Sequence, residues 1–192
     1  MRTRRTRFTL AVTVVLALAA TSIAYASSRH HQRPRNNHAE VFTAHLDGYS
    51  EVPADNSPAT GDLTLTVGNG QLTWSLTYQG FAANNQPVVA HVHVGQPGVS
   101  GGVSFYFCGG PKPACPSTDS GPVTITGTTV PADIMGPTAQ EFAAGDLNSI
   151  IKAIEAGLTY ANMHTPTLSA GEIRGQLVRG HHGPDDGPGH GH

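Results

Sequence analysis

Short runs of alternating apolar and polar residues follow one another along most of the chain. Such alternation predicts half-buried β-strands, because successive side chains of a strand point to opposite faces of its sheet. The apolar positions of the clearest runs are Phe42, Ala44 and Leu46; Leu63, Leu65 and Val67; Leu72, Trp74, Leu76 and Tyr78; and Val103, Phe105 and Phe107. Gly68, Asn69 and Gly70 separate the second run from the third, which predicts a β-hairpin. The pattern contains no crossover helix between the early strands and therefore predicts an all-β fold, an antiparallel β-sandwich.

One segment has a helical period instead. Its apolar residues, spaced i, i+3, i+4 and i+7, are Leu147, Ile150, Ile151 and Ile154. This spacing places them on one side of a helix. Asp146 is the expected N-cap and Gly157 the expected end. We therefore expect one short helix near the C-terminal third, after which alternation returns in residues 158–165 and 171–178.

The first 26 residues differ from the rest of the chain. Four arginines precede an apolar run from Phe8 to Ala20, and a small-x-small cleavage pattern ends at Ala26. These features predict a signal peptide over residues 1–26. The Arg4–Arg5 pair leaves export by the twin-arginine route open beside the general secretory route.

The composition of the remaining chain divides it into three parts. Residues 27–38 are polar and are expected to be a disordered lead-in. A folded domain is expected over residues 39–179, and a disordered tail rich in Gly, Pro, Asp and His over residues 180–192. The histidines of this tail, which could chelate divalent metals weakly, are His181, His182, His190 and His192.

Loss of the signal peptide would change the charge of the protein. The segment carries four of the eleven Lys and Arg residues and none of the thirteen Asp and Glu residues, so the remainder has a formal net charge of −6. A nucleic-acid partner requires a basic footprint, which this chain lacks. Because no later segment is continuously apolar, we expect a secreted or extracytoplasmic protein with no membrane span.

Cys108 and Cys115 are the two cysteines of the chain and flank a loop rich in Gly and Pro. In an exported protein, a lone pair around such a loop predicts a disulfide. A metal dithiolate is the alternative.

Two histidines alternate with apolar residues in the segment Val89–Gly95. On an extended strand, His91 and His93 share one face while the apolar residues fill the other. From these positions, two imidazoles can converge on one small cation, or they can hydrogen-bond to the backbone and to neighbouring groups. Both interpretations remain open at this point.

A polar face also occurs on the two C-terminal runs. Its residues are Tyr160, Asn162 and His164 on the first run, and Glu172 and Arg174 on the second. This face is either exposed to solvent or forms a polar cluster beside the histidine pair. For Arg174 we expect an ion pair with a carboxylate, and the candidates are Glu172 and Glu51. Contact with a substrate is the alternative role.

Four motifs together resemble the CHRD domain, a family that takes its name from chordin and also occurs in exported bacterial proteins. They are EVP at Glu51–Pro53, AHVHVG at Ala90–Gly95, YANMHT at Tyr160–Thr165 and GEIRGQL at Gly171–Leu177. The resemblance extends from about Phe42 to Leu177 and implies an immunoglobulin-like or superoxide-dismutase-like Greek-key sandwich. It also places His164 beside His91 and His93. It implies no particular reaction, and this chain lacks the Cys-rich modules of the animal proteins that bind growth factors.

Three functional interpretations follow. In the preferred one, the protein is a non-enzymatic exported binding module in which His91, His93 and His164 hold copper or zinc. Its partner would be an extracellular protein or a surface ligand. In the second, it is a mononuclear copper redox enzyme, because HVHVG is similar to the paired-histidine strand of copper-zinc superoxide dismutases. In the third, it is a structural or adhesive surface module whose histidines only form hydrogen bonds.

Overall fold

The computed structural model describes residues 39–180, and within this range nine strands form two antiparallel sheets. The strands are β1 (Glu40–Leu46), β2 (Thr60–Gly68), β3 (Gln71–Gln79), β4 (Val89–Val94), β5 (Gly102–Cys108), β6 (Val123–Thr129), β7 (Thr159–His164), β8 (Ile173–Gln176) and β9 (Val178–Arg179). One sheet has the order β6-β3-β2-β1-β9, and the other has the order β5-β4-β7-β8. The predicted all-β sandwich is confirmed.

Several predictions concern the two ends of the chain. The proposed signal peptide, the lead-in and the tail histidines lie outside the described residues. The boundaries 39–179 of the folded domain stay a prediction. Among residues 39–180, no helix is both long enough and apolar enough to cross a membrane.

The β2–β3 hairpin has the tight turn that its sequence predicts. Gly68 pairs with Gln71, so the loop consists of Asn69 and Gly70 alone. Their φ angles are 52° and 73°. Positive φ at both central residues suits the right-handed twist of hairpin strands, and Asn-Gly tolerates this conformation.

The core lies between the two sheets and contains the apolar positions of the alternating strands. Ala90, Val92 and Val94 of β4 are buried in it, as are most of the apolar residues of β1, β2 and β3. Trp74 is a core residue with only 8% of its surface exposed. Its indole N–H donates to the Thr129 hydroxyl at 3.1 Å. Gly127 leaves room for this indole, because an added Cβ would lie 2.4 Å from the ring.

The predicted helix is present as α1 (Leu147–Glu155). A side-chain oxygen of Asp146 accepts a hydrogen bond from the Ser149 amide at 3.0 Å, which confirms the N-cap. Gly157 follows with a φ of 71°, the left-handed conformation that ends many helices. The apolar side of α1 joins the core. Two single-turn 3-10 helices, Pro131–Asp133 and Thr138–Gln140, precede it.

The C-terminal run predicted as one strand is two strands in different sheets. Strand β8 pairs with β7, whereas β9 pairs with β1. Leu177 lies between them, fully buried, with its amide bonded to the Thr159 carbonyl. The prediction of a single strand is wrong because alternation reports which face a residue occupies and not the sheet to which it belongs.

The predicted cysteine pair is joined at the end of β5. The sulfur atoms of Cys108 and Cys115 are 1.99 Å apart, at bonding distance, which fits a disulfide and not a metal dithiolate.

Loops cover the outer face of the four-stranded sheet, the face turned away from the core. The loop residues that bond to side chains on or beside this face are Glu51, Ser57, Asn85, Gln96, Val99, Gly101 and Ser169. The outer face therefore consists of polar side chains that are nevertheless buried, and this face carries the candidate site.

Candidate metal centre

Strands β4 and β7 bring three histidines together on the covered outer face. The strands are antiparallel neighbours, with His93 opposite Tyr160 and His164 opposite Val89. The ring centroid of His91 lies 4.4 Å from that of His93 and 4.6 Å from that of His164. The strand pairing thus places His164 beside the histidine pair, where the family resemblance predicted it.

The ring nitrogens of these histidines are close enough to share one ion. Each residue offers one nitrogen, and the three nitrogens lie within 4.8 Å of one another. Any three atoms with such separations have a common point within about 2.8 Å of each, and zinc or copper needs about 2.0 to 2.1 Å. Shifts of less than an ångström for each ring would bring the nitrogens to bonding distance.

Backbone carbonyls fix the orientation of two of the rings. Nδ1 of His93 lies 2.8 Å from the Gly101 carbonyl oxygen, and Nδ1 of His164 lies 3.0 Å from that of Ser169. Because a carbonyl oxygen only accepts, each Nδ1 carries the hydrogen and each Nε2 keeps its lone pair. Both Nε2 atoms, together with Nδ1 of His91, are shielded from solvent and have no hydrogen-bond partner among the described residues.

The surroundings hold the three imidazoles in their neutral form. Burial, together with the neighbouring His93 and His164, lowers the pKa of His91 to about 2. Burial likewise lowers the pKa of His93 to about 4 and lowers the pKa of His164. A neutral imidazole is the form that binds a metal ion.

Aromatic rings enclose the pair on β4. The Tyr106 ring meets the His91 ring edge to face, with centroids 5.1 Å apart. The Tyr160 ring stacks on His93 with centroids 4.6 Å apart and planes only 2° from parallel. Sequence alternation puts Tyr106 and His91 on outward-facing positions, but only the β4–β5 register makes them neighbours.

Arg174 does not form the ion pair that its sequence context suggests. Within residues 39–180 it has no carboxylate oxygen within salt-bridge distance. Its guanidinium instead donates to the carbonyl oxygens of Gln96 and Val99, at 3.1 and 2.9 Å. The guanidinium carbon also lies 3.4 Å from the centre of the Tyr160 ring. Two carbonyl oxygens and an aromatic face therefore replace the expected carboxylate.

The other predicted polar residues form a separate cluster around two carboxylates. Glu172 accepts hydrogen bonds from Ser57 at 2.7 Å and from Asn85 at 3.0 Å, and also from Thr165. Asn162 donates to Glu51. Tyr160, Asn162, Glu172 and Arg174 are all at most 4% exposed, so the interpretation of this face as solvent-exposed is wrong. Tyr160 and Arg174 adjoin the histidines, whereas Asn162 and Glu172 serve the carboxylate cluster.

The comparison with known protein families agrees with the four motifs. A family model described as the CHRD domain matches residues 42–177. The chain belongs to the CHRD domain family. No curated protein and no solved structure matched the chain. All four motifs lie within the match, and in this chain they adjoin one another. Glu51 of the first bonds to Asn162 of the third, and the strands of the second and fourth motifs pair with the strand of the third.

Sequence reasoning missed the groups that orient the histidines. Gly101 and Ser169 contribute backbone carbonyls, which carry no side-chain signal in the sequence. Tyr106 could have been suspected from its place between Phe105 and Phe107 on a strand whose apolar residues point inward.

Proposed function

We propose that this CHRD domain is an exported binding module that holds one copper or zinc ion through His91, His93 and His164. One observation carries the proposal: the three histidines each have a buried ring nitrogen without a hydrogen-bond partner among the described residues, and one ring nitrogen from each lies within 4.8 Å of the other two. A buried polar atom left without a partner typically costs about 1 to 3 kcal/mol. A metal ion at the common point would satisfy all three nitrogens at once.

The arrangement favours a held ion over a catalytic one. All three nitrogens are shielded from solvent, so a substrate has no open approach to the ion they would bind. Catalytic sites instead keep a coordination position open to water or substrate. We therefore prefer a binding module to a copper redox enzyme, and an extracellular protein or surface ligand as its partner.

Export is part of the same proposal and rests on two features. Residues 1–26 have the sequence pattern of a signal peptide. The Cys108–Cys115 disulfide is of the kind that persists outside the reducing cytoplasm.

The test is a count of retained metal equivalents in the full chain and in two variants. After loading with copper or zinc and exhaustive dialysis at neutral pH, His93→Gln should retain one equivalent fewer than the parent. Glutamine keeps a polar group of similar reach but is a much poorer ligand. The matched control is His45→Gln, because His45 is an exposed histidine bonded to Asp62 outside the cluster. This control should retain as much metal as the parent.

Two outcomes would contradict the proposal. Equal retention by a folded His93→Gln variant and its parent would remove the metal centre and leave a structural or adhesive module. Turnover of superoxide by the copper-loaded chain, lost in His93→Gln, would favour the redox enzyme instead.

A further inference from the structure

The loop between β4 and β5 is attached to the candidate site at several points. This loop, residues 95–101, has exposed residues from Gln96 to Ser100. At its end, the Gly101 carbonyl accepts the hydrogen bond from Nδ1 of His93. The position of the loop therefore decides whether His93 presents Nε2 as a ligand.

Tyr160 connects the loop to the His93 ring. Its hydroxyl oxygen accepts a hydrogen bond from the Gly101 amide at 3.1 Å, next to the carbonyl that His93 uses. Its ring is stacked on the His93 ring. One side chain thus contacts both the imidazole and the backbone residue that orients it.

Arg174 holds the remaining part of this assembly. The side chain is buried, with 3% of its surface exposed, and it carries a positive charge next to a cluster of three neutral imidazoles. One terminal nitrogen of the guanidinium bonds the carbonyls of Gln96 and Val99, and the guanidinium plane lies against Tyr160. The other hydrogen bonds from this loop to the rest of the described residues involve Gly95 and Gly101, at its two ends.

We propose that Arg174 is a positioning residue: through Tyr160 and the loop at residues 95–101 it fixes the ring orientation and tautomer of His93. A role for Arg174 in metal binding rests on the proposed metal centre. Its effect on the orientation and tautomer of the His93 ring can be measured without any metal. Removal of a group that orients a metal-binding side chain without contacting the metal typically lowers metal affinity by about 10 to 100-fold.

The experiment observes the ring nitrogens of His93 by NMR in the full chain labelled with ¹⁵N-histidine. In the metal-free parent, His93 should carry its hydrogen on Nδ1. In Arg174→Met and in Tyr160→Phe it should show a mixture of tautomers. Zinc titration followed at the same nitrogens separates this site from the tail histidines, and the zinc affinity should fall about 10 to 100-fold in both variants.

Two further variants make the comparison specific. Arg174→Lys keeps the positive charge and should restore part of the tautomer preference. Arg179→Met is the matched control. Arg179 also lies against an aromatic ring, 5.2 Å from the centre of Phe42, but it belongs to the five-stranded sheet and not to the sheet that carries the histidines. It should leave the tautomer and the zinc affinity unchanged. If Arg174→Met does not fold, Tyr160→Phe and Arg174→Lys decide the question.

The outcomes separate this inference from the proposed function. Arg174→Met and Tyr160→Phe could both match Arg179→Met in the tautomer of His93 and in zinc affinity. That result would overturn the positioning role and leave the metal centre intact. Parent His93 nitrogens that do not respond to zinc or to cuprous copper would overturn the metal centre. The tautomer comparison in the metal-free proteins would still decide the role of Arg174.

Discussion

Glu51 illustrates how single buried groups in this domain depend on their surroundings. Burial raises the pKa of its carboxyl to about 7. The Val52 amide, the Arg174 guanidinium and the Asn162 side chain act in the opposite direction but do not outweigh burial. Gly171 makes room for this group, since an added Cβ would lie 2.5 Å from a carboxylate oxygen. The residue that opens the EVP motif thus titrates near neutral pH.

This raised pKa predicts a pH-dependent effect of Glu51→Gln. The folded state binds the proton more tightly than the unfolded state, so the parent loses stability as pH rises from about 4.5 to about 7. A shift of this size corresponds to about 3 kcal/mol. The glutamine does not titrate. The free energy of unfolding of Glu51→Gln, relative to that of the parent, should therefore increase from pH 4.5 to pH 8.

Denaturant unfolding at the two pH values measures this effect. Contributions independent of pH, such as the amide placed near the Val52 N–H, cancel when the two differences are compared. The histidines also cancel, because both proteins contain them. A difference that stays constant with pH would show that Glu51 ionises in its buried position as easily as in the unfolded chain.

At the scale of elements, the disulfide closes a short loop at the end of β5. Cys108 is a buried strand residue and belongs to the core, and Cys115 packs against the same core. The loop between them contains Gly110, whose position beside the Tyr106 ring leaves no space for a Cβ. The bridge therefore fixes a segment that lies behind one of the rings around His91.

Removing this bridge should weaken the fold moderately. For a loop of this length, loss of a disulfide is expected to cost about 2 to 3 kcal/mol. The double variant Cys108→Ala and Cys115→Ala should show that decrease in its free energy of unfolding, measured against the oxidised parent. Intact mass of the non-reduced parent should be lower than that of the reduced chain by two hydrogens. Two free thiols in freshly purified protein that was never exposed to reductant would contradict the disulfide.

Strands and helices could be predicted from the sequence where the local spacing of apolar residues determines them. Alternation identified most of the strands and the common face of His91 and His93. Gly68, Asn69 and Gly70 identified the hairpin turn, and the helical period identified α1. Contacts between distant segments could not be predicted in this way. A period of two does not reveal that Tyr106 faces His91, that Arg174 reaches the carbonyls of loop 95–101, or that the chain changes sheets at Leu177. His164 could be placed only through the family motif.

For the whole molecule, the sandwich explains how a polar layer can be buried in a small domain. The apolar core lies between the sheets, and loops cover the second face of the four-stranded sheet with hydrogen bonds in place of apolar contacts. The candidate site therefore depends on loops from several parts of the chain. The histidine-rich tail is expected to be independent of this arrangement.

Deletion of residues 181–192 tests that independence. The segment consists mainly of Gly, Pro, Asp and His and offers almost nothing to bury. The thermal midpoint should therefore change little, and weak metal binding that is lost below about pH 6 should disappear with the tail. Calorimetry and metal titration of the parent and the truncated chain check both points. A large drop in the midpoint would show that the tail packs on the domain.

The smallest strand has a consequence for self-association. Strand β9 pairs with Phe42 and Thr43 of β1, and the Gly180 amide bonds to the Val41 carbonyl. Without these residues, one side of β1 would present free backbone donors and acceptors, a template on which another chain can add a strand. Being only two residues long and carrying the charged Arg179, β9 offers little template of its own. These few residues thus protect the five-stranded sheet against aggregation at that edge.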